Sequence, residues 1–197
     1  MTTFLCQLIW GKKDTIGYHL IAILSLYTCT EIVTSLPEYF LRVETSLLNI
    51  SLIAQGFLWL SLLSQILKDR ALKAISIFYI IAGVSICCSG RGFSQFHYAT
   101  FTLAGFFYVI FLTWHALKNL NEEAVAFFLA PEFILLFAPV IFFFGMSLMF
   151  AFGSHEITSA KVFEIDIYYI INRTANVFLY GLLLTYIFTK RKQQYEV

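Results

Sequence analysis

Three charged side chains stand inside stretches apolar enough to cross a bilayer: Glu31, Glu132 and Arg173. A charge at the centre of a membrane helix costs about 2.5–3.5 kcal/mol on insertion scales, so each calls for a partner or a task. Arg173 belongs to the most regular pattern. Tyr169, Asn172, Arg173, Asn176 and Tyr180 recur at spacings of three and four, which puts them on one helix face. Lipid gives an amide no hydrogen-bond partner, so that face is expected to turn toward other helices. A second stripe holds His19, Tyr27, Glu31 and Thr34, and Asn49 stands near the start of the next apolar run. Opposite chain directions bring Glu31 and Arg173 to comparable depth in one half of the bilayer. The expectation is a Glu31–Arg173 ion pair, or one small polar cavity lined by both, with Asn49, Asn172 and Asn176 as further members. Its plain meaning is a structural clasp between the first and last spans. Its sharper meaning is an intramembrane ligand or proton site.

A secondary polar group is expected at the other end of the bundle, made of His19, His115 and Glu132, with Gln65 nearby. Glu132 follows Pro131, and a proline with an acid just after it suits a helix start. The plain reading of Glu132 is therefore an interfacial acid, whereas a partner such as His115 or His19 would make it a buried polar contact.

Other chemistries find less support. His19, His97, His115 and His155 do not cluster, and no HExxH spacing occurs. A three-ligand metal site would need help from Glu44 or Asp166, so no metal is expected. Cys6, Cys29, Cys87 and Cys88 form no CxxC motif and read as small buried hydrophobes, not as a thiol redox pair. Gly90-Arg91-Gly92 is a turn, without the strand and lysine of a phosphate loop. No catalytic residue and no cofactor is expected.

The elements that must position these groups are helices. The 197 residues are 59% hydrophobic and 13% charged, against roughly 45–50% and ~25% in soluble domains. With a mean hydropathy of +0.78, there is too little polar surface to cover a globule. About 20 apolar residues span the hydrocarbon as helix, and six segments meet or approach this length: 16–36, 46–67, 73–90, 97–117, 126–152 and 165–189. Runs such as Ile141-Phe142-Phe143-Phe144 lack the alternation of a β-barrel strand. The expected fold is an all-α, polytopic transmembrane bundle forming a single domain over 1–197. Residues 1–12 form an interfacial segment with Trp10 at headgroup level. The fifth span contains Pro131 and Pro139 and is expected to tilt or kink.

Nine of the 13 Lys and Arg residues fall on one side of this arrangement: Lys12, Lys13, Lys68, Arg70, Lys73, Lys118, Lys190, Arg191 and Lys192. Only Arg42, Arg91 and Lys161 fall on the other. Both termini are therefore expected in the cytoplasm. A net charge of +1 gives no general pull toward nucleic acid, and the short basic runs suit lipid phosphates.

Pro131-Glu132-Phe133 opens a Phe-rich span ending near Gly145, and Asn172 to Tyr180 precede a basic tail. In these features, over about the last two-thirds of the chain, the sequence resembles uncharacterised small polytopic bacterial inner-membrane proteins of about six to eight spans. The resemblance implies a bacterial inner-membrane location and no particular activity. The function expected is a non-enzymatic sensor, accessory or small-ligand-binding membrane protein that acts through helix contacts with a membrane partner or a second copy. The alternatives are a small-solute or ion transporter with an outer polar pocket, and an intramembrane enzyme acting on lipid or quinone.

Overall fold

The structure, a computed structural model, describes residues 2–11, 14–34, 41–89, 97–121, 125–151, 161–162 and 164–195. Among these it is all-α apart from one short hairpin. The helices are α1 (Thr2–Trp10), α2 (Thr15–Thr34), α3 (Leu41–Leu67), α4 (Arg70–Ser89), α5 (Tyr98–Asn121), α6 (Val125–Leu129), α7 (Pro131–Ala151) and α8 (Ile167–Tyr195). Strands β1 (Lys161–Val162) and β2 (Ile165–Asp166) pair antiparallel, with Lys161 opposite Asp166. Five helices, α2, α3, α4, α5 and α8, are long and apolar enough to cross a membrane. This is the build of a multi-pass integral membrane protein, because a helix satisfies its own backbone groups where no water is present.

Helix α3 is the hub and packs on α2, α4 and α5. Helix α7 joins α5 to α8, and α1 packs on both α2 and α8, which closes the circuit. Trp59, Leu62 and Leu63 of α3, Tyr108 of α5, and Leu135 and Leu136 of α7 are fully buried at the centre. The Trp59 ring meets Tyr108 edge-on at 6.3 Å. Tyr108 in turn donates its hydroxyl proton to the Leu136 carbonyl at 2.9 Å. That contact lies beside the place where Pro139 leaves the Leu135 carbonyl without its helical donor. Gly56 lets α4 approach α3 so closely that the Tyr79 ring fills the space a side chain would take.

The expected 126–152 span is corrected. The chain bends at Ala130 and divides into short α6 and longer α7. Proline has no amide proton and disfavours helical geometry in the residue before it, so Pro131 opens a helix instead of sitting within one. Lys118 and Lys190 to Lys192 also differ from expectation, since they lie within α5 and α8 and not in loops, Lys118 and Lys192 in the last turns. Cations there complement the carbonyl end of the helix. Helix α1 buries Thr3 and Gln7 while exposing Leu5, Leu8 and Ile9. Lys12, Lys13, Arg91, Gly90, Gly92 and His155, and the side chains of Trp10, Thr34, Arg42 and Glu44, lie outside the described residues.

Candidate functional site

The polar groups expected near the outer ends of the spans do not form one cluster. Glu31 accepts a hydrogen bond from Tyr180 Oη at 2.9 Å. No ion pair among the described residues joins it to Arg173, which is exposed on α8. The reason is depth. Tyr180 and Arg173 share a face of α8 but are seven residues apart, about 10.5 Å along the axis. The last helix is set further along its axis than equal span ends would place it. Asn172 and Asn176 bond to each other within α8, with Asn176 Nδ2 donating to both Oδ1 and the backbone oxygen of Asn172 at 2.9 Å. Asn49 is buried on α3, and its Oδ1 accepts from the His97 amide at 3.1 Å, which satisfies a donor at the start of α5. A polar seam absent from the sequence reading joins α2 to α3: Thr30 Oγ1 lies 2.6 Å from Ser51 Oγ, which also accepts from Gln55.

Replacing Glu31 with Gln is expected to keep the fold and to cost about 1 kcal/mol, because the amide oxygen of Gln still accepts the Tyr180 hydrogen bond. Tyr180→Phe should cost a similar amount, and the double variant no more than the larger single effect. Additive losses in thermal melts would show that the two groups do not interact.

The opposite end is where polar groups converge. Helix α3 ends at Leu67, α4 starts at Arg70, and only Lys68 and Asp69 lie between. Lys68 takes the left-handed conformation, φ 54°, and the Asp69 amide returns to the Ser64 carbonyl at 3.2 Å. This is the six-to-one closure of a Schellman motif. Ser64 Oγ answers by donating to the Asp69 carbonyl at 3.0 Å. The Asp69 side chain then caps α4, with Oδ1 accepting from the Ala71 amide at 2.8 Å. Its other oxygen, Oδ2, is 3.2 Å from His115 Nε2 on α5. His115 Nδ1 lies 2.9 Å from the Phe111 carbonyl. Both ring nitrogens thus lie against oxygen atoms, Asp69 Oδ2 and the Phe111 carbonyl.

His19 belongs to the same end but not to the same contact. Its Nε2 lies 3.4 Å from Ser61 Oγ, and its Nδ1 lies 3.1 Å from the Thr15 carbonyl. This serine–histidine contact is longer than the roughly 2.6–3.2 Å of a nucleophile and its base. Glu132, in the first turn of α7, forms an ion pair with Lys190 of α8 instead of with a histidine. The expected inner group is therefore three separate contacts at one end of the bundle.

Two clefts open there. The larger, about 580 Å³, lies between the α3–α4 turn, the end of α5, and α6–α7, and includes Asp69, His115, Lys118 and Glu132 in its walls. The smaller, about 340 Å³, is lined by His19, Ser61, Ser64, Gln65 and Lys73. Lys68, Asp69 and Arg70 belong to both. Gln65 Oε1 is buried there without a hydrogen-bond partner among the described residues. The two acids are already engaged by His115 and Lys190. None of the described ion pairs involves Lys68, Arg70 or Lys73, which leaves the rim an excess of positive charge. Chemically this is a place for an anion with hydrogen-bonding groups.

Asp69, Ser61 and Ser64 escaped the sequence reading, which counted Lys68 to Lys73 only as a basic loop. The available signal was an aspartate directly before an apolar helical run, the usual mark of an N-cap. Among the described residues no three His, Cys, Asp or Glu side chains gather closely enough to hold a metal ion. No family model matches the chain, and neither a curated protein nor a solved structure matches it.

Proposed function

We propose that the chain crosses a bacterial inner membrane six times, through α2, α3, α4, α5, α7 and α8. Both termini and both clefts then lie on the cytoplasmic side. The apolar stretch 131–147 of α7 supports the sixth crossing, and the basic residues gathered at the cleft end support the orientation. We propose further that the protein is a non-enzymatic membrane protein that binds a small ligand in these clefts.

One observation carries this reading: the Lys68–Asp69–Arg70 turn stands between two polar clefts. The core residues Leu62, Leu63, Leu135 and Leu136 are fully buried, so the helices below the clefts are packed against one another. Binding at one face fits this arrangement better than passage through it. Asp69 ties the start of α4 to α5 through His115. A ligand that competes for either group changes that helix contact, and with it the surface offered to a membrane partner or second copy.

Native mass spectrometry of the protein, extracted from its own membrane in mild detergent, tests the reading. The chain is expected to carry a small molecule of defined mass at near-stoichiometric occupancy. Arg70→Gln, which removes a rim cation shared by both clefts, should lower that occupancy several-fold. A bare chain in the wild type, or an occupancy indifferent to Arg70, would reject the binding function.

A further inference from the structure

The larger cleft does not end in water alone. Phe133 lines both it and an apolar groove of about 240 Å³ between α5 and α7. Val109 then links that groove to a second, about 210 Å³, which reaches Gly105, Phe143 and Ser147. The walls change character at one aromatic cluster. Phe127 borders the polar cleft and Phe128 the groove, and the rings of Phe127, Phe128 and Phe133 stand 5.2–5.4 Å apart. From Leu120 to Thr102 the groove follows α5 for 18 residues, about 27 Å of helix, against a hydrocarbon core of about 30 Å. A positively charged polar mouth thus continues into a long apolar track on the outer surface of the bundle.

We infer that this composite site holds an anionic phospholipid. Its phosphate lies at Lys68 and Arg70, and one acyl chain lies along the α5–α7 groove past the Phe133 cluster. The inference rests on the ligand-binding reading above and names the ligand's chemistry. Charge selects the head: two cations without a counter-ion among the described residues border the cleft, whose acids are already engaged. Shape selects the tail: a free phosphate or a soluble phosphate ester has no use for the groove. At the headgroup level each basic residue strengthens anion attraction roughly fivefold.

The test uses the full chain in nanodiscs of equal parts phosphatidylglycerol and phosphatidylcholine, released into native mass spectrometry. Phosphatidylglycerol is expected to remain bound in preference to phosphatidylcholine. Lys68→Gly combined with Arg70→Gln should cut that preference by at least ~tenfold. Glycine suits the left-handed turn at position 68 better than lysine does, so a loss there is not a folding defect. Ala116→Trp, which fills the groove wall, should reduce lipid retention while leaving the mouth intact. Equal retention of both lipids overturns the inference. So does a preference that falls with the charge variants but ignores Ala116→Trp, since this is surface attraction without a groove. A third arm adds glycerol phosphate in place of the anionic lipid. If it is retained as well as the lipid and is untouched by Ala116→Trp, the lipid inference fails while ligand binding in the cleft stands.

Discussion

Gly56→Ala is expected to lower the thermal stability of the purified protein by about 1–3 kcal/mol, and Gly56→Leu to abolish a folded yield. A Cβ at this position would lie 2.5 Å from Tyr79 Oη and 2.6 Å from Cζ. The ring has nowhere to go. Tyr79 is fully buried and its hydroxyl donates to the carbonyls of Leu52 at 3.3 Å and Thr100 at 3.4 Å. In a bilayer, helices associate through close packing and hydrogen bonds more than through hydrophobic transfer, so a lost close approach is felt in full. Two comparisons make the prediction specific. Gly181, where an added Cβ meets nothing within 4 Å, should accept alanine with no loss and a gain of up to ~1 kcal/mol from helix propensity. Tyr79→Phe should partly rescue Gly56→Ala, because it removes the nearest atom. Melting curves that ranked the two glycine variants equally, or showed simple additivity at the pair, would contradict the packing described for α3 and α4.

Asp69→Ala is expected to cost about 2 kcal/mol, the second largest single effect. The carboxylate caps α4 and faces His115 at the same time. A lost N-cap costs about 1 kcal/mol, and the partly exposed contact with His115 contributes up to about 1 more. Asn caps a helix as well as Asp does, so Asp69→Asn isolates the second part. His115→Gln should reproduce the asparagine variant and not the alanine one. If Asp69→Asn proved as damaging as Asp69→Ala, the cap would be the smaller role, and the turn would be held by the pair with α5.

The apolar runs made the membrane helices legible in the sequence, because hydrocarbon imposes both length and composition on anything that crosses it. The same uniformity hid the details. A span rich in Phe on both sides of Pro131 shows no periodic break, and the one sign of the division into α6 and α7 is Pro131-Glu132, which suits a helix start. The α8 stripe does not turn wholly toward other helices, since Tyr169 and Arg173 are exposed, and the partner of Glu31 is Tyr180, two stripe members along from Arg173. Sequence spacing fixes which residues share a helix face. It does not fix how far one helix slides along another, and the Glu31–Tyr180 contact depends on that slide. At the cleft end, residue type points to His19, His115 and Glu132 but not to their partners Ser61, Asp69 and Lys190. Those partners lie 42 to 58 residues away in the chain, so no local pattern announces them.

The central claim is that the Lys68–Asp69–Arg70 turn opens a binding cleft at the cytoplasmic face of a six-span bundle. Single cysteines at positions 68, 118 and 161, each in a chain whose four native cysteines are replaced by serine or alanine, test it directly. In sealed cells stripped of any outer barrier, a membrane-impermeant maleimide should label position 161 and leave 68 and 118 untouched. In inverted vesicles it should label 68 and 118 and spare 161. Labelling of 68 or 118 from outside, or of 161 together with 68 from one side, would contradict the account.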